Sequence, residues 1–166
     1  MPRVRLLPEC HAETTLVAFL VTDLELYRHS LGSEVVGDMK AAVHDFERVV
    51  GIVDTDETTP RHFDSFELIS EQDCVQLLRR PTSGEYLIRV TFNGAESFIL
   101  WNAAQVSLRL TDYGFPEDKK LLRNQLKKLA IETDPNYRRL LTDLRTRQAP
   151  GILTLERILN DLIATS

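Results

Sequence analysis

From Val4 to Leu7 the chain is short and mostly apolar, and Pro8 ends the run, which predicts a first strand. From Glu13 the pattern turns helical. Leu16, Phe19, Leu20, Leu24 and Tyr27 recur at spacings of three and four, and Leu31-Gly32 reads as a C-cap. Glu34-Val35-Val36-Gly37 predicts a short second strand. Met39, Ala42, Val43 and Phe46 then mark the face of a second helix over 39–49. Val49-Val50-Gly51-Ile52-Val53 is nearly continuous in apolar residues, the mark of a strand buried on both faces of a parallel sheet. The order strand, helix, short strand, helix, strand predicts an α/β sheet with crossover helices.

The middle of the chain reads differently. Val75-Gln76-Leu77-Leu78 is too brief to assign to helix or strand, and Pro81-Thr82-Ser83-Gly84 is a turn cluster. Glu85 to Phe92 alternates, with Tyr86, Ile88, Val90 and Phe92 on one face of a strand. Helices are predicted over 95–110, 118–131, 136–147 and 154–164, with Pro135 and Pro150-Gly151 as separators. The 166 residues suit one domain, with its core at about 3–110 and a helical extension at about 111–166.

Composition adds little to the fold but limits the chemistry. A 43% hydrophobic and 27% charged chain has enough apolar material to fold. No apolar run approaches the ~20 residues of a membrane span, and the N-terminus lacks the apolar stretch of a signal peptide, so a cytoplasmic location is expected. Cys10 and Cys74 make no metal-binding or disulfide pattern. Residues 1–75 carry 6 basic and 15 acidic side chains, whereas 76–166 carry 14 and 10. An acidic front half and a basic back half fit a metal site beside an anion-binding surface; solvated basic helices are the plainer reading.

The candidate chemistry lies at strand ends, where ligands gather in parallel sheets. Glu9 follows the first predicted strand, and Asp54 and Asp56 end the most buried one. If those strands are neighbours, three carboxylates meet at one edge. Crowded carboxylates repel, and a divalent cation such as Mg²⁺ relieves the repulsion. Taken singly, each fits a structural role as well: Glu9 beside a helix N-terminus, and the aspartates in a turn.

These residues resemble a known family. The run 4–17, Val-Arg-Leu-Leu-Pro-Glu-Cys-His-Ala-Glu-Thr-Thr-Leu-Val, looks like the opening of a toprim-type domain, where a strand ends in a signature Glu. Val50-Gly51-Ile52-Val53-Asp54-Thr55-Asp56-Glu57 looks like its second signature, a hydrophobic strand ending in Asp-x-Asp. Ala95-Glu96-Ser97-Phe98-Ile99-Leu100 resembles a later acidic-aromatic helix start in small stand-alone toprim proteins of the OLD-nuclease kind. One departure is Cys10, where toprim openings commonly have Gly.

The resemblance covers about residues 3–110. It implies a Rossmann-like, mostly parallel sheet flanked by helices, with the C-terminal helices additional. It further implies a Mg²⁺- or Mn²⁺-dependent nuclease in a defence or repair system, or a toprim-like subunit that binds or regulates without catalysis. Glu9 would be the acid/base residue, and Glu9, Asp54 and Asp56 the metal ligands. Glu13, Glu57 and Glu96 would be auxiliaries, and His62, which follows the Asp-x-Asp run in sequence, is a further candidate. Lys119, Arg123, Lys127 and Arg138 are candidates for phosphate-backbone contacts with nucleic acid. A protein partner such as an ATPase subunit is a further expectation.

Overall fold

The computed structural model describes residues 3–21, 35–54, 61–90 and 94–164. The predicted helix end at Leu31-Gly32 and the residues Asp56 and Glu57 lie outside the described residues. The described chain is α/β. Strands β1 (Val4–Pro8), β2 (Arg48–Asp54), β3 (Glu67–Gln72), β4 (Val75–Arg79) and β5 (Glu85–Val90) form one sheet in the order β1-β2-β5-β4-β3. β1, β2 and β5 run parallel, and β4 and β3 add antiparallel to that core. The helices are α1 (His11–Leu20), α2 (Val35–Ala42), α3 (Ala95–Gln105), α4 (Lys119–Leu126), α5 (Pro135–Thr146) and α6 (Pro150–Ala164).

β2 is buried along its centre because it is covered on both faces, as its unbroken apolar run requires. On one face Val50 and Ile52 pack into a large core with Leu16, Phe98, Ile99, Tyr137 and Leu155. On the other, Val49 and Val53 join Leu7, Val35, Met39, Phe63, Phe66 and Leu87. The helices beyond residue 110 share the first core with the sheet: Leu122, Leu140 and Ile152 belong to it.

Several sequence expectations change: α3 ends at Gln105 and α4 at Leu126, short of the predicted 110 and 131, and Pro150-Gly151 opens α6 instead of preceding it. Val35, Val36 and Gly37 open helix α2 instead of forming a strand. Val35 and Met39, four residues apart, share one buried face, and both would touch a Cβ placed on Gly51 of β2. A helical period of burial therefore overrides the β-propensity of paired valines. The helix also ends at Ala42, short of the predicted Val49, because Arg48 onward pairs with β1. The ambiguous run at Val75 is strand β4, and β3 was unmarked in the sequence because all six of its residues are exposed.

Asn102 of α3 holds the start of α6. Its side-chain oxygen accepts from the backbone N–H groups of Gly151 (2.8 Å) and Ile152 (3.2 Å), and its amide donates to the Phe98 carbonyl. A Cβ on Gly151 would lie 2.7 Å from both Asn102 and Phe98, so the glycine permits the close helix approach. Asn102 is fully buried. Asn102→Ala would strip two buried helix-start donors, and unfolding in urea is expected to show a loss of about 2–4 kcal/mol.

Candidate metal centre

Parallel pairing of β1 with β2 sets Pro8 opposite Ile52, so both strands end at one sheet edge. The backbone N–H of Glu9 continues the ladder, donating to the Ile52 carbonyl at 3.0 Å. Cys10 then caps α1 in an extended conformation, φ −126°, which needs no glycine. Glu13, in the first turn of α1, folds back over this corner. Its Oε2 accepts from the backbone N–H groups of Glu9 (3.2 Å) and Cys10 (3.3 Å). This is the glutamate leg of a capping box, which favours Glu at the third helical position.

These local rules bring three carboxylates together. One oxygen each from Glu9, Glu13 and Asp54 lies within 4.8 Å of the other two, close enough to share one cation. Glu13 is only 3% exposed, and its Oε1 is buried with no hydrogen-bond partner among the described residues. An orphaned buried carboxylate oxygen is costly unless it is protonated or meets a cation. Burial, reinforced by the charges of Asp54 and then Glu9, holds the Glu13 carboxyl well above the usual carboxylate range. Burial, with Glu13 beside it, likewise pushes the Cys10 thiol up, so Cys10 stays a thiol and is no nucleophile at neutral pH.

The sequence thus pairs Glu9 with Asp54 as the structure does, and it undervalues Glu13, treated there as an auxiliary. The available signal was the capping-box spacing. Glu96 is buried in the first turn of α3, where Arg123 of α4 donates to it through Nε at 2.6 Å. Arg123 is therefore half-committed to an ion pair, while Lys119, Lys127 and Arg138 are exposed. The 3-10 turn Leu129–Thr133 and α5 flank this corner: His11 Nδ1 lies 3.3 Å from Glu132, and the Tyr137 hydroxyl donates to the Ala12 carbonyl at 3.5 Å.

His62 is displaced from the centre. Its Nε2 lies 2.8 Å from Glu85 Oε1. Glu85 starts β5 opposite Val49, whereas Asp54 sits opposite Val90 at the other end, so the strand's length, about 16 Å, separates them. His62 therefore lies by the amino end of β5, away from the carboxyl ends of β1 and β2. Buried Glu85 also accepts from Arg80 Nη1 and Ser83 Oγ, each at 2.8 Å.

No family model, no curated protein and no solved structure matches this chain. Among the described residues, no helix is long and apolar enough to cross a membrane.

Two of the buried carboxylates, Glu85 and Glu13, have opposite linkage. Burial alone would raise the Glu85 carboxyl, but hydrogen bonds from Arg80, His62 and Ser83 outweigh it and lower it below the ordinary value. Its contribution is present above about pH 4.3 and is lost as pH falls through the folded value. Glu85→Gln is expected to cost about 2 kcal/mol at pH 7, with the gap to the parent closing in denaturation series below about pH 4. Glu13 is raised, so its contribution is present in acid and is lost as pH rises above the ordinary carboxylate value. In EDTA, Glu13→Gln should melt higher than the parent at pH 7.5 and alike at pH 4. Added Mg²⁺ or Mn²⁺ should raise the melting temperature of the parent only.

Proposed function

We propose that the chain is a toprim-like, metal-dependent phosphodiesterase acting on nucleic acid. The observation that carries this reading is the convergence of Glu9, Glu13 and Asp54 at the carboxyl edge of two parallel strands, with one Glu13 oxygen buried and unpartnered. The donors are all oxygen and all acidic, which suits Mg²⁺ or Mn²⁺ and is wrong for structural zinc.

A bound Mg²⁺ would supply charge stabilisation to a phosphodiester in cleavage and acidify a water near it. The chain's own residues do the rest. Glu13 fixes the corner by holding the N–H groups of Glu9 and Cys10, which aims Glu9 along the sheet edge. Glu9, partly buried, would take a proton from water, the acid/base role its motif position suggests. The exposed Lys119 opens α4, Lys127 caps its end and Arg138 lies on α5; these three would hold the phosphate backbone.

One observation favours the second reading, a toprim-like subunit that binds without cleaving. Cys10 presents a side chain where glycine would let a phosphate approach the backbone.

The test is incubation of the protein with plasmid DNA, linear DNA and RNA in Mg²⁺ or Mn²⁺, beside Asp54→Ala. The nuclease reading expects cleavage that EDTA abolishes and that falls at least about a hundredfold in the variant. Absence of cleavage on every substrate, with salt-sensitive gel shifts retained, would favour the binding subunit.

A further inference from the structure

β3 is the last strand of the sheet, so its outward backbone groups meet no further strand among the described residues. Every residue from Glu67 to Gln72 is exposed, including Leu68 at 56% and Ile69 at 52%. Large apolar side chains on an open edge invite another strand.

The alternation of faces shows which strand fits. Glu67 pairs with Arg79, whose guanidinium stacks over Tyr86 on the α6 side of the sheet. Gln72 pairs with Val75, and its Oε1 accepts from Arg157 of α6, so it lies on that side too. Leu68 and Glu71, opposite Leu78 and Gln76, lie on the other side. The register shift between Leu68 and Ser70 leaves Ile69 as the extra residue in the centre. The strand is therefore symmetric by face about its bulge: Glu67 matches Gln72, and Leu68 matches Glu71.

We propose that β3 pairs antiparallel with β3 of a second copy of this chain, about a two-fold axis between Ile69 and Ser70, so that each Ile69 faces Ser70 of the other copy. Opposite residues in an antiparallel pair must share a face, and this register satisfies that requirement at both ends. It avoids setting Glu67 against Glu71. It sets Glu67 of one copy beside Gln72 of the other, within reach of the Arg157 that holds Gln72. Two symmetric Glu67–Arg157 contacts result, with the Ile69 side chains at the centre. The acidic ends and the bulge discourage indiscriminate edge pairing, while the charge match admits this partner. The dimer would join two five-stranded sheets into one of ten.

Sedimentation equilibrium of the full chain across a concentration series into the high-micromolar range tests the proposal. The parent should show a monomer–dimer equilibrium. Ile69→Lys should abolish it while leaving the thermal melt of the fold intact. Glu67→Arg and Arg157→Glu should each weaken dimerisation by about tenfold, and the double variant should restore it. Within one chain Glu67 and Gln72 lie at opposite ends of β3, about 16 Å apart, so the rescue can only act between copies. A parent that stays monomeric, a dimer indifferent to Ile69→Lys, or a double variant no better than the singles overturns the proposal.

Discussion

The structure turns on the parallel pairing of β1 with β2. That pairing is driven by apolar burial along Leu6, Leu7, Val50 and Ile52, and it takes no account of charge. Its consequence is electrostatic. Two strands that must end together deliver Glu9 and Asp54 to one edge, and the capping of α1 delivers Glu13 between them. The fold thus creates a concentration of acidic oxygens in which Glu13 Oε1 has no hydrogen-bond partner among the described residues. Hydrophobic burial over many residues offsets the local cost of crowding three carboxylates.

At the amino end of β5 the balance is reversed. Glu85 is just as buried, yet it is met by Arg80, His62 and Ser83, and its carboxyl is held below the ordinary range. That group is a satisfied structural ion pair. Glu13 is held above the range and keeps an oxygen unpartnered. Two buried glutamates in one domain, with opposite shifts, separate a carboxylate that finishes the fold from one suited to a further charge. The C-terminal helices support the second environment. Tyr137 and Glu132 reach α1 at Ala12 and His11, so the first turn of α1 is held from both sides.

Much of the α/β order was legible because β2 and β5 carry strong periodic signals and Pro8 and Gly84 punctuate them. The meeting of Glu9 and Asp54 was legible on one condition, that their strands be neighbours, and local pattern cannot determine that. α2 was misread at Val35 because paired valines carry β-propensity, while their burial against Gly51 depends on tertiary contact. β3 was silent because a fully exposed edge strand has no buried face to mark its period. His62 was placed near the Asp-x-Asp run by sequence distance alone, and its side chain instead meets Glu85 at the amino end of β5. Glu13 was undervalued because a capping residue and a metal ligand look the same in sequence.

The central claim is that one divalent cation sits among these three carboxylates. Anomalous diffraction from crystals grown in Mn²⁺ tests it directly. The account predicts a single strong anomalous peak at about 2.0–2.3 Å from oxygens of Glu9, Glu13 and Asp54. A clean map at that corner, with Glu13 Oε1 hydrogen-bonded to a neighbouring group, would contradict it.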